Sequence, residues 1–184
     1  VVRFLNRYFS VMERCIRENG GLVLQYIGDE IEAVFGTPSR PADDHPERAV
    51  SAALRMRRAL EALNEERQEK GERSIHHGIG IHTGKMLAGN VGSQERLVYA
   101  MVGDVVNVAS RLQVLNKTCG TDILVSRNVV ERLADRDFEF ISMGIFPIRG
   151  KSEEIEVFSL STGAGGAYEN AEKKTGAVEK GENR

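Results

Sequence analysis

Two groups of residues in this sequence have the types and spacing to handle phosphates and cations. The first is Asp29, which follows Gly28 between two apolar runs, residues 22–27 and 30–35; Ile31, Ala33 and Phe35 alternate in the second as in a half-buried strand. Two strands around Gly-Asp read as a tight hairpin with Asp29 at its tip. A carboxylate there projects toward solvent or a cleft and offers the oxygen ligands that Mg²⁺ takes. Asp is also a common turn former, so position alone leaves its role open. The second group is Asn107 and Arg111, four residues apart in a helical stretch whose apolar stripe is Val105, Val108, Ala109, Leu112 and Leu115. At 3.6 residues per turn both flank that stripe and face nearly the same way. Arg there suits charge on a phosphoryl oxygen, and Asn suits a sugar oxygen. A solvated helix flank would carry the same pair.

Two other patterns are weaker. The run Gly78-Ile79-Gly80-Ile81-His82-Thr83-Gly84-Lys85 is glycine-rich, but the gaps before Gly84 are wrong for a phosphate loop and Met86 follows the lysine. Thr83 stands where a dinucleotide fingerprint needs its third glycine. His76 and His82 would share a strand face but lie about 20 Å apart along it, too far for one metal. The histidines therefore read as surface or satisfied core groups.

The elements that must carry these residues follow from periodicity. Val2, Leu5, Phe9, Met12 and Ile16 mark an amphipathic helix over residues 1–19, stopped by Asn19-Gly20-Gly21. Asp44 and Glu47 give a capping signal before a second helix with Ala49, Ala53, Met56, Leu60 and Leu63 inward. Residues 64–74 are charged and read as a solvated connection. Ile75, His77, Ile79 and Ile81 alternate as a strand, and residues 97–102 form another. The Asn107/Arg111 helix runs from 105 to 116 with Asp104 as its N-cap and Gly120 after it. Residues 123–125 are a short strand, and Ser126 caps a helix to about Leu133. Residues 138–148 and 155–160 close the domain as strands around Gly150-Lys151. This order predicts an α+β sandwich, with helices packed on a mostly antiparallel sheet, over residues 1–160. Residues 161–184, rich in Gly, Ala, Glu and Lys, are expected to be a disordered tail.

Composition narrows the function. The 184 residues carry 25 Lys+Arg against 27 Asp+Glu, a net charge of −2, which argues against a duplex-binding protein or any nucleic-acid partner. Trp is absent and aromatics are 6%, too few for a base-stacking platform. No apolar run reaches the roughly 20 residues that span a bilayer. Cys15 and Cys119 form no CxxC, as expected of reduced thiols in a cytoplasmic protein.

Two segments taken together carry a resemblance. One is Gln25-Tyr26-Ile27-Gly28-Asp29-Glu30 with Ala33-Val34-Phe35-Gly36. The other runs from Gly89-Asn90-Val91-Gly92-Ser93 through Tyr99 and Gly103-Asp104 to Val106-Asn107-Val108-Ala109-Ser110-Arg111. With Gly80-Ile81-His82-Thr83-Gly84 in the same order, they resemble the class III nucleotidyl cyclase catalytic domain, the adenylate and guanylate cyclase family. The likeness extends from Val1 to about Leu160. It implies a ferredoxin-like α+β sandwich and conversion of a nucleoside triphosphate to its 3′,5′-cyclic nucleotide and pyrophosphate. It implies that Asp29 holds Mg²⁺ or Mn²⁺, two ions in a complete domain, that Asn107 orients the ribose and that Arg111 stabilises the transition state. Arg149, where the family usually has Lys, is implied in contacting phosphates. The site is implied to form across a head-to-tail homodimer, with Asp29 from one chain and Asn107 and Arg111 from its partner.

The departures from the family are specific. The family's first metal-binding Asp lies in a strand before the first helix, and no counterpart is found in residues 1–184. The chain is therefore expected to be a fragment with little or no activity, and its parent to carry an upstream sensor or membrane segment. At the base-reading positions stand Gln25 and Ala100. ATP-using members often have Lys and Asp or Thr there, and guanylate cyclases Glu and Cys. Gln meets either base; ATP is favoured on general motif style. A guanylate cyclase, or a non-catalytic dimerising module, are the alternatives. The Gly28-Asp29-Glu30 run also suggests a diguanylate cyclase hairpin, but Ile27 and Ile31 stand where that signature needs Gly and Phe.

Overall fold

The computed structural model describes residues 2–38, 41–147 and 154–161. The first helix, α1 (Val2–Glu18), lays Met12 and Ile16 inward. It leads into a hairpin, β1 (Leu22–Ile27) and β2 (Glu30–Val34), paired antiparallel with Ile27 opposite Glu30. The two-residue loop is Gly28-Asp29, and Gly28 takes the left-handed conformation at φ +64°, which a side chain would resist. A bulge between Val23 and Gln25 shifts the register of β1.

Helix α2 (His45–Glu69) runs longer than the sequence predicts. The charged stretch after Leu63 stays helical to Glu69 because its charges find partners, Arg7 on Glu66 and Arg67 on Glu72. Asp44 does stand at the N-cap, but its carboxylate makes no cap hydrogen bond and instead pairs with Arg48 at 2.8 Å. The predicted strand from Ile75 shrinks to β3 (Ile79–Ile81). Upstream, the Asn64 side chain clamps the Ile75 backbone, with Nδ2 donating to its carbonyl at 2.8 Å and Oδ1 accepting its N–H at 2.9 Å. Those groups are thereby taken from any strand ladder.

Next come β4 (Leu87–Gly92) and β5 (Leu97–Val102), an antiparallel ribbon. Its first strand was not anticipated, since glycine is a poor strand former. Helix α3 (Asp104–Cys119) is capped by Gly103; Asp104, expected at the cap, is the first helical residue, where its charge suits the positive end of the helix dipole. Gly120 ends α3 in the left-handed conformation, as its position predicts. Then follow β6 (Ile123–Ser126), α4 (Arg127–Arg132), β7 (Phe140–Pro147) and β8 (Glu154–Leu160). Ser126 is the N-cap of α4 in an extended conformation, but its hydroxyl bonds His82 Nδ1 at 2.7 Å rather than the helix.

The α+β class expected from sequence is what forms. The strands fall into three sheets, β1-β2, β3-β6-β8-β7 and β4-β5; β3 pairs parallel to β6 and the other described pairs are antiparallel, the mostly antiparallel arrangement expected. Helix α2 bridges two of them. Its Val50 and Ala53 pack on Ile81, Ile123 and Val125, with Val129 and Leu133 nearby. Its Leu60 and Leu63 pack with Met12 of α1 and against Ile31 of the hairpin. Helix α3 covers the opposite face of the four-stranded sheet, through Val108 and Leu112 on Leu124 and Val157. Arg149 and the Gly150-Lys151 turn, and residues 162–184 of the expected tail, lie outside the described residues.

Candidate active site

A cleft of about 710 Å³ separates the hairpin from β3 and α3. Its walls include Ile31–Val34 of β2 and Ile79-Gly80 of β3. Among the described residues β2 pairs only with β1, and β3 only with β6, so two unpaired strand edges face this space. Asp29 at the hairpin tip and Asn107 on the first turn of α3 both line it. Sequence reasoning paired Asp29 of one chain with Asn107 of its partner; the two that line this cleft come from the same chain. Arg111, one turn further along α3, is half-buried and lies outside the lining. Glu30 and Glu32 also line the cleft.

The position of α3 depends on one close approach. Gly80 of β3 lies so near the helix that a Cβ on it would sit 2.2 Å from the Ala109 carbonyl oxygen and 2.4 Å from the Gln113 nitrogen. A glycine is what permits that contact. The far end of α3 is held by Asn116, buried in the domain. Its Nδ2 lies within hydrogen-bond distance of the carbonyls of Ile79, Leu112 and Gln113, and its Oδ1 accepts from Thr121 at 2.9 Å. The sequence singled out Asn116 only as the end of a helix.

Opposite the hairpin, the Tyr8 hydroxyl of α1 and His77 Nδ1 are 2.8 Å apart. His77 Nε2 is buried with no partner. Burial lowers the His77 pKa to about 4, so the ring is neutral at pH 7. Burial, and then the charge of Asp29, push the Tyr8 phenol up to about 12. His82 bonds Ser126 as a satisfied core group would, whereas His77 has only its Nδ1 partnered, short of the satisfied group the sequence suggested.

The positions expected to read the base sit elsewhere. Gln25, exposed on β1, donates from Nε2 to Glu32 Oε2 at 2.6 Å. The two residues are directly opposed across the hairpin. Sequence reasoning missed Glu32, although a two-residue turn at 28–29 already pairs position 25 with 32. Ala100 lies on β5 opposite Gly89, in the ribbon.

Among the described residues no cluster of three or more His, Cys, Asp or Glu is poised to hold a metal. Asp29 with Glu30 beside it is an all-oxygen pair at an open cleft. That donor set fits Mg²⁺, which keeps several waters and takes one or two carboxylates plus substrate phosphates. No helix among the described residues is long and apolar enough to cross a membrane.

The sequence matches the adenylate and guanylate cyclase catalytic domain over residues 1–162. It is 34% identical over 160 residues to adenylate cyclase 1 of Rhizobium meliloti (strain 1021), covering 87% of this chain and 24% of that protein. It is 36% identical over 167 residues to an adenylate cyclase of Anabaena cylindrica, covering 87% of this chain and 32% of that protein. The chain thus spans about a quarter to a third of the length of these relatives. Among solved structures, it superposes on the adenylyl cyclase CyaB from P. aeruginosa with a TM-score of 0.78 at 26% identity, covering 87% of this chain and 81% of that one. On the guanylyl cyclase Cya2 the TM-score is 0.75 at 30% identity, with 86% and 79% covered.

Proposed function

Because this chain belongs to the class III adenylate and guanylate cyclase catalytic domain family, we propose that its protein converts ATP to 3′,5′-cyclic AMP and pyrophosphate in intracellular signalling. The observation that carries this reading is the match to the cyclase catalytic domain over residues 1–162. ATP is preferred to GTP because the two relatives compared above are named adenylate cyclases.

The reaction needs little covalent help from protein. The ribose 3′-oxygen attacks the α-phosphorus in line and loses its proton. The bond from that phosphorus to the bridging oxygen breaks, and pyrophosphate leaves. Positioning and charge therefore supply the rate. Asn107 orients the ribose oxygen. Arg111 places a guanidinium on the α-phosphoryl oxygens, where negative charge builds up in the transition state. Arg149 contacts the phosphates, and Gln25 and Ala100 face the base. Asp29 is the residue that would hold Mg²⁺ or Mn²⁺, which would supply positive charge to offset the negative charge building up on the reacting phosphates.

Asp29 and the Asn107/Arg111 pair serve the same site from different chains of a head-to-tail homodimer. The β4–β5 ribbon supports this: Leu87, Val91, Val98 and Val102 share one face by register and are each more than half exposed. A lone chain rarely leaves so contiguous an apolar face to water. The facing, unpaired edges of β2 and β3 support a further part of the reading. Residues 1–160 act with one more strand of the same domain, which brings a second carboxylate, and are inactive without it. Upstream sensor or membrane segments set the input, and the domain itself works in the cytosol.

Mixed dimers test the arrangement. An Asp29→Ala chain and an Arg111→Ala chain, each inactive alone, regain one intact site when combined as complete proteins. A confirmed mixed dimer that stays inactive beside an active wild type overturns the shared site.

A further inference from the structure

The hairpin presents Gln25 and Glu32 in a way that bears on which base is taken. Side chains alternate along each strand. Tyr26 faces α1, with its hydroxyl donating to Glu13 at 2.9 Å and its ring 4.6 Å from that of Phe9. Ile31, opposite Tyr26, packs with Met12, Leu60 and Leu63. Gln25 and Glu32 therefore stand on the other face, away from α1 and α2. That is the side on which α3, carrying Asn107, covers the four-stranded sheet, because α2 packs on the face opposite α3.

On that face the two side chains make one hydrogen bond, Gln25 Nε2 to Glu32 Oε2 at 2.6 Å. A carboxylate only accepts, so the contact fixes which end of the amide is which. The nitrogen must point to Glu32, which takes one of its two N–H groups, and Oε1 is the acceptor turned toward another molecule. An unpartnered glutamine would turn either end outward. This one presents an acceptor.

We propose that Glu32 is the positioning residue for base selection. By holding the Gln25 amide it leaves a carbonyl facing the purine, so the site reads a hydrogen-bond donor, the 6-amino group of adenine. Guanine carries an oxygen at that position, and two acceptors facing each other repel. This rests on the cyclase reading and on Gln25 facing the base. Glu32 touches no substrate and acts only through Gln25. Ala100 is apolar, so the Gln25 amide carries the polar discrimination between these two positions.

The test uses the full natural protein and rates of cyclic product from ATP, GTP and purine riboside triphosphate, which lacks the 6-amino group. Wild type is expected to favour ATP over both analogues in kcat/KM by about tenfold or more, the size of one well-placed hydrogen bond. Glu32→Gln keeps the shape but can donate as well as accept, which frees the Gln25 amide to flip. Its ATP-to-GTP ratio is expected to fall by roughly tenfold, mostly through KM. Glu32→Met, which neither donates nor accepts strongly, is expected to do the same, and thermal melts confirm that both variants fold. In a Gln25→Leu background, Glu32→Gln is expected to leave the ratio where Gln25→Leu put it, since Glu32 acts through Gln25. The proposal is overturned if both Glu32 variants keep the wild-type ratio, if they change it equally with and without Gln25, or if wild type itself favours GTP. A folded wild type that makes no cyclic product from any of the three overturns the cyclase reading instead, and this proposal with it.

Discussion

Replacing Gly80 by Ala tests whether β3 sets the position of the helix that carries Asn107 and Arg111. The added Cβ would lie 2.2 Å from the Ala109 carbonyl oxygen and 2.4 Å from the Gln113 nitrogen. Both atoms belong to the α3 backbone, so no side-chain rotation relieves the clash. Restoring ordinary van der Waals contact requires α3 to retreat by about 1 Å. Overpacking of this kind costs about 1–3 kcal/mol, and a backbone contact falls at the upper end. For a domain of this size that corresponds to a melting temperature lower by roughly 6–12 °C. The same retreat moves Asn107 and Arg111 off their target, and a displacement of about 1 Å in a positioning group costs on the order of 100-fold in rate. The assay pairs a melting curve with kcat for cyclic-nucleotide formation. Gly89→Ala is the control, because a Cβ there meets nothing within 4 Å. If Gly80→Ala melts within about 1 °C of wild type, the close approach does not constrain α3 and the reasoning is refuted.

Three further outcomes follow from the same structure. Asn116→Ala leaves the Ile79 carbonyl and the Thr121 hydroxyl without their buried partner, and is expected to lower stability by about 2–3 kcal/mol in urea unfolding; a loss under about 0.5 kcal/mol contradicts the network. His77 has its pKa lowered to about 4 by burial, while the unfolded ring titrates near 6.5, at about its ordinary value. Below that pH the unfolded chain binds a proton that the folded one refuses until pH 4. Stability from this ring is thus whole above about pH 6.5 and falls by about 3 kcal/mol on acidification to pH 4. Urea unfolding of wild type and His77→Gln at pH 7, 5.5 and 4 should show their difference changing by that amount; a constant difference contradicts it. Val91→Arg with Val98→Arg places two like charges opposite each other on the exposed ribbon face, and should shift sedimentation of the full protein from dimer to monomer while the melt of the domain core stays put.

Much of the fold was legible because it follows local periodicity. The inward face of α1, the Gly28-Asp29 hairpin and the Gly120 stop are all set by side chains within a few residues of one another. The parts that were not legible depend on distant partners. Asn64 takes the Ile75 backbone away from a strand that the alternation of Ile75, His77 and Ile79 predicts. The strand over Gly89-Asn90 forms because residues 97–102 pair with it, and glycine propensity alone argues against it. Asp104 and Ser126 were both read as caps. Asp104 instead stands inside the first turn of α3, and Ser126 keeps its position while its hydroxyl goes to His82. Asp29 and Asn107 were legible as residue types; within one chain both line the cleft, whereas the site assigned to them takes one from each chain. Arg111 lies beyond that cleft. The bond between Gln25 and Glu32 lay within reach of the hairpin register, but registering it required treating two polar strand residues as a pair rather than as surface.

The most direct measurement is the product formed by the full natural protein given ATP or GTP separately in Mg²⁺ or Mn²⁺, identified by mass. The account predicts cyclic AMP and pyrophosphate in equal amounts, with formation lost in Asp29→Ala and in Arg111→Ala. A folded, dimeric protein that yields no cyclic nucleotide from either substrate would contradict it and leave a non-catalytic cyclase-like module.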